Sequence, residues 1–204
     1  MKNLLRKIIP IQFRISIQEN KNNLIRSFKS PKMLGGYRDS SGAWRAKTRI
    51  SDTAYLYHPE RILIEDNVFV WHHTILDGTG MLTIGEGTQI GAWVGIFTHS
   101  SHISIRIYGS HYQEVAEQDK KGYKVSPVTI GKYTFIGAGA KVLPGTKIGK
   151  GAIISAGSIV SKDVGDFEIV AGDPAEVIGN TKTLDKRYLK DKQILEWYNA
   201  WQED

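Results

Sequence analysis

From Ile130 the chain repeats in sixes: IGKYTF, IGAGAK, VLPGTK, IGKGAI, ISAGSI and VSKDVG. Ile or Val opens every block, at 130, 136, 142, 148, 154 and 160; the second residue is Gly in three blocks and Ser in two. The fifth residue is small or β-branched throughout: Thr134, Ala140, Thr146, Ala152, Ser158 and Val164. A period of six is a multiple of the strand's period of two, so the opening aliphatic returns to one face each time. An α-helix would turn through roughly 1.7 turns in six residues and scatter those aliphatics around its axis. Strand, corner, strand is therefore the expected pattern. Three blocks close a triangular coil, and coils stack by parallel pairing into an all-β solenoid, two coils of it across 130–165.

The same register runs earlier with breaks. IEDNVF and VWHHTI span 64–75, a longer stretch LDGTGMLT spans 76–83, and IGEGTQ, IGAWVG and IFTHSS follow. The pattern then stops over 103–126, a polar and aromatic stretch with Arg106, Tyr108, His111 and Tyr112, and resumes at Val128. Such an insertion in a regular solenoid predicts a functional loop ejected from the coils. Three regions follow: a basic, partly helical segment over 1–49, the β-helix over 50–178 with loop 103–126, and a C-terminal helix over 179–204. Residues 2–30 read as helical with Pro10 as a break. Residues 183–199 carry Leu184, Tyr188, Leu189, Ile194 and Tyr198 at helical spacing, and a helix there is expected to cap an open solenoid end.

Charge is unevenly placed. Residues 1–49 hold 12 Lys/Arg, among them Lys2, Arg6, Lys7 and Arg14, against Glu19 and Asp39, whereas residues 50–204 hold 15 against 19. A basic front end suits an anionic lipid surface or phosphate-bearing substrate, and equally a solvated helix face; no nucleic-acid motif accompanies it. The 21 glycines exceed average usage and fit many tight corners. With no Cys there are no disulfides, thiolate metal sites or cysteine nucleophiles. The longest N-terminal apolar run, Ile8-Ile9-Pro10-Ile11, is too short for a signal-peptide core or a membrane span. The reading is a cytoplasmic protein, with possible peripheral membrane contact through the basic segment.

ISAGSIVSKDV followed by IVAGDPAEVIG resembles the tail of the hexapeptide-repeat acyltransferases, particularly the maltose, galactoside and nodulation-sugar O-acetyltransferases, and the likeness extends over about 64–178. The resemblance implies a left-handed parallel β-helix, a homotrimer with sites between subunits, acetyl-CoA as co-substrate, a sugar or glycan acceptor and no metal. It implies a His base at the end of a coil, just before the chain leaves the helix. A sugar hydroxyl is a poor nucleophile until its proton is accepted, and neutral imidazole suits that role. Here Ile96-Phe97-Thr98-His99-Ser100-Ser101-His102 stands before the loop. The family position falls on Ser101; His102 is favoured because it lies where the loop begins, with His99 as the rival. Asp77 follows Thr74-Ile75-Leu76 as the family's acceptor-binding Asp does, but His72 and His73 replace an Asn-rich turn. Asp77 and His72 are thus the expected acceptor residues. By the family pattern Ala138, Gly139 and Ala156 touch the pantetheine arm, and Ser161 and Lys162 lie nearer the adenine and ribose phosphate. Glu176 stands where a basic residue usually follows Pro-Ala. The alternatives are a sugar N-acetyltransferase, a gamma-type carbonic anhydrase-like enzyme with zinc on His72 or His73, His99 and His102, and a non-catalytic scaffold.

Overall fold

A computed structural model describes residues 10–203; Lys2, Arg6 and Lys7 lie outside them. The chain forms two compact units, Met1–Lys32 and Met33–Asp204. In the first, helix Ile11–Lys29 starts after Pro10, whose ring fixes φ at −53° and whose missing N–H costs nothing at a helix start. It stops at Ser30, which is extended because Pro31 follows. Phe13, Ile17, Leu24 and Phe28, all exposed, fall along one stripe of this helix. Among the described residues no helix is long and apolar enough to cross a membrane.

The second unit is a three-sided coil. Ile130 pairs in parallel with Ile148, Ile136 with Ile154 and Val142 with Val160, so one turn of chain takes 18 residues here. Upstream, Ile64, Ile84 and Ile130 stack on one side, Val70, Ile90 and Ile136 on the second, and Leu76, Ile96 and Val142 on the third. These aliphatics are at most 2% exposed and form one continuous core. Burial of each contributes about 1.5–3 kcal/mol relative to an exposed side chain. The fifth-position residues make a second inner row, and their hydroxyls are satisfied by carbonyls across the corners: Thr134 Oγ1 donates to Gly149 O and Thr88 Oγ1 to Gly131 O, both at 2.9 Å. Glycine at the second position has a steric cause. A Cβ on Gly137 would lie 2.5 Å from the backbone nitrogen of Ala156 in the next coil.

Two details depart from the simple register. The last coil is short by two residues, so Val164, a fifth-position residue in the repeat, bridges Ile148 and supplies the core on that side. The C-terminal segment is two helices, Thr181–Asp185 and Lys192–Glu203, joined through Tyr198, whose hydroxyl donates to Asp185 at 3.0 Å. The second helix packs on a flank, with Trp201 against Tyr133 and Phe167 at the stacked corners, rather than over an open end. Antiparallel strands finish the ends instead. Met33–Arg38 pairs with Trp44–Ser51 and brings Tyr37 onto the core; Glu168–Gly172 pairs with Ala175–Asn180 and brings Ala175.

The chain leaves the coil after Ile96 and rejoins it at Val128. The excursion begins and ends as an antiparallel ribbon, His99–Ser100 against Lys124–Val125. Between them lie the short helix Ser104–Tyr108 and two 3-10 turns. The Tyr108 hydroxyl fastens the return by accepting from the Lys121 N–H at 3.0 Å.

Candidate active site

The site grows from one corner of the coil. The position after the buried aliphatic of one side is Tyr57, Asp77, Phe97, Leu143 and Ser161 in successive turns. Asp77 is the only carboxylate of that column and is 1% exposed. Burial alone would favour its neutral form, but donors surround it. Thr79 gives its N–H and hydroxyl to Oδ1 at 2.9 and 2.6 Å. Thr98 gives its N–H to Oδ2 at 2.7 Å, and its hydroxyl lies 2.9 Å away. His99 gives its N–H at 3.2 Å, and its Nδ1 lies 2.7 Å from Oδ2. Burial raises the carboxyl's pKa, yet these bonds outweigh it and lower the value to about 2. Asp77 is therefore ionised.

An ionised carboxylate can only accept, so His99 Nδ1 carries the proton and Nε2 is left as the basic nitrogen. The His99 side chain is 33% exposed. Its ring lies 6.4 Å from that of Tyr57 and 6.0 Å from that of Tyr123. It lines a cavity of about 400 Å³ with Phe97, Ser100, His102, Leu143 and Ser161. His102 reaches the same cavity but is exposed, and its Nδ1 meets the hydroxyl of Ser100 at 2.7 Å. Of these two histidines, only His99 has a carboxylate behind it.

The remaining expected residues divide between two corners. Ser161 shares the histidine cavity, and Lys162 beside it pairs with Glu176 at 3.2 Å, both exposed. Glu176, the residue that departs from the family pattern, is thus the partner of Lys162. Ala138, Gly139 and Ala156 sit at the preceding corner, stacked so that the Gly139 N–H meets Ala92 O and the Gly157 N–H meets Ala138 O. His72 and His73 occupy that corner too, a strand length from Asp77, so within one chain they do not join His99. His72 Nδ1 contacts the Ser51 hydroxyl at 2.7 Å. His73 adopts φ 57°, the left-handed corner conformation, and stacks on Trp93. Among the described residues no three His, Asp or Glu side chains converge as a metal site would need.

The roles of Thr79, Thr98, Tyr57 and Tyr123 at this corner were missed from sequence. The available signal was coil length. Leu76 and Ile96 pair 20 residues apart, which sets Asp77 beside Phe97 and two residues from His99.

Residues 127–162 match the family model described as bacterial transferase hexapeptide (six repeats). The chain is 30% identical over 149 residues to the galactoside O-acetyltransferase of Escherichia coli K12, covering 71% of this chain and 67% of the relative. It is 26% identical over 182 residues to a chloramphenicol acetyltransferase of Morganella morganii, covering 86% and 80%. In fold it is similar to a hexapeptide-repeat-containing acetyltransferase of Vibrio cholerae solved with acetyl coenzyme A. That likeness has a TM-score of 0.54 at 22% identity, over 62% of this chain and 64% of the other. The register of sixes, the parallel coil and these relatives agree: the chain belongs to the bacterial transferase hexapeptide family, the hexapeptide-repeat acyltransferases.

Proposed function

We propose that this chain transfers acetyl from acetyl-CoA to a hydroxyl of a sugar, in cell-surface polysaccharide or lipid-linked glycan synthesis, with His99 as general base. The observation that carries the reading is the 2.7 Å contact between His99 Nδ1 and the buried, ionised Asp77. It fixes the tautomer, aims the ring, and stabilises the imidazolium that forms when Nε2 takes a proton. As the acceptor oxygen attacks the thioester carbonyl, its proton passes to Nε2. The new C–O bond forms, the C–S bond breaks, and the proton goes on to the departing sulfur. Asp77 is then a positioning residue, not an acceptor ligand. His102 is left as a cavity wall, because the Ser100 hydroxyl offers a forming imidazolium no opposite charge.

Sugar as acceptor is favoured by the galactoside O-acetyltransferase relative, and acetyl-CoA as donor by the ligand of the Vibrio cholerae protein. The coil is left-handed in this reading, as the family resemblance implies. A trimer is supported by the exposed apolar surface at Trp71, Ile75, Trp93 and Phe135, and by the division of the expected CoA contacts between two corners. A neighbouring subunit would supply the second wall of the groove. Peripheral membrane contact rests on the basic N-terminal segment.

The test is thiol release from acetyl-CoA with neutral hexosides, amino sugars and chloramphenicol as acceptors. Hexoside-dependent release, with acetyl found on oxygen, is expected. Preference for the amino sugar would make the enzyme an N-acetyltransferase, and release only with chloramphenicol would remove the sugar assignment.

A further inference from the structure

A second cavity, of about 410 Å³, lies against the loop residues Glu117, Lys120, Tyr123 and Val125 and the coil residues Arg61 and Thr79. Alternation along the returning strand divides the two spaces: Lys124 lines the histidine cavity, while Tyr123 and Val125 line this one. It borders two residues that flank the Asp77–His99 pair. Thr79 is the residue that gives two hydrogen bonds to Asp77 Oδ1, and the ring of Tyr123 stands 6.0 Å from that of His99.

Among the described residues its two cations make no close ion pair, although the Glu60 carboxyl beside Arg61 is lowered by its own backbone N–H, by His58 and in part by that charge. Arg61 Nη1 donates to the Thr79 carbonyl at 3.0 Å, which anchors the guanidinium on the turn that holds Asp77. Lys120 Nζ lies 4.0 Å above the Tyr112 ring. Among the described residues neither cation has a carboxylate within ion-pair distance. Glu117, the one acid lining the space, is hydrogen-bonded with Tyr123, whose phenol is pushed up by burial and then by that bond. A guanidinium has five donors in a flat fork that matches a phosphate or carboxylate, and among the described residues only one of Arg61's is committed.

We propose that this cavity is the acceptor subsite and that the acceptor carries an anionic group, a phosphate or a carboxylate, held by Arg61 and Lys120. The proposal rests on the reading of His99 as base, since it is the acceptor hydroxyl that must reach Nε2. The sugar ring would sit against Tyr123 while the anion bridges Arg61 on the coil and Lys120 on the loop.

Titration calorimetry on the full chain with galactose 1-phosphate, galacturonate and galactose tests it. At least one anionic probe should bind tighter than galactose, and the tighter of the two names the phosphate or the carboxylate. Arg61→Gln and Lys120→Gln should each weaken that probe by about 10- to 100-fold, the scale of a lost hydrogen bond to a charged group, and weaken galactose far less. Lys120 is on the ejected loop, so its variant keeps the test alive if Arg61→Gln melts early. No preference for either anion, or affinities indifferent to both substitutions, overturns the proposal. The base reading fails separately: anion binding that needs Arg61 alongside full turnover in His99→Ala would keep this subsite and remove the base.

Discussion

Residues 128–164 and residues 97–127 are adjoining stretches of one chain that meet opposite demands. In the first, the inward residue types are dictated by the coil: aliphatic inside, small at the second inner row, glycine where the next coil presses close. In the second the coil is abandoned. The ribbon His99–Ser100 with Lys124–Val125 has no buried aliphatic ladder; His99, Ser100 and Lys124 line one cavity and Val125 the other. The regular stretch builds the frame, and chemistry collects where the register breaks and side chains are released from packing. Asp77 belongs to both. It sits on a coil strand, yet its carboxylate is held by Thr98 and His99 at the break as well as by Thr79 on its own turn.

The largest expected effect lies in the break. His99→Ala should lower kcat by roughly 10²–10⁴-fold, the usual contribution of a positioned base. His102→Ala should lower it by less than about tenfold. Steady-state assays of both variants check this, and the reverse order would move the base to His102.

Stability should show the opposite map. Ile136→Ala removes a fully buried coil side chain and should cost about 2–5 kcal/mol in urea unfolding. Ile107→Ala, in the loop and 58% exposed, should stay within about 0.5 kcal/mol of the parent. Equal losses at both positions would mean that the loop is as much a part of the frame as the coil.

The smallest effect belongs to Asp77. Its folded pKa, about 2, lies below the ordinary 3.8. The ionised group therefore stabilises the fold above pH 4, and that contribution is lost as pH falls from about 4 toward 2. Asp77→Asn should remove on the order of 1–2 kcal/mol of the stability difference between pH 5 and pH 2. An unchanged acid limb would show that the carboxylate is not held by its donors.

How much of this was legible follows the same division. The sixes at 130–165 predicted two coils because core packing leaves no other use for an aliphatic at that period, and the pairing of Ile130 with Ile148 and Ile136 with Ile154 bears that out. The two-residue shortfall at Val164 was not legible, since Val fits either row. Asp77, His99 and His102 were found as types, but position relative to the loop favoured His102, whereas Asp77 stands behind His99. That distinction needs a contact across 22 residues, which local pattern does not carry. The His72-His73 pair stands apart from His99 within the chain for a related reason: the turn that holds it faces the other end of the strand, and His73 fills a left-handed corner that Gly139 and Gly157 fill in later coils.

Chemical rescue tests the central claim most directly, because it asks whether an imidazole is needed at one place. His99→Gly and His102→Gly are assayed for acetyl transfer across a range of added imidazole. The Asp77–His99 account predicts that imidazole restores a saturable part of the activity lost in His99→Gly and leaves His102→Gly, already near normal, unchanged. Rescue of an inactive His102→Gly, with His99→Gly active on its own, would contradict it.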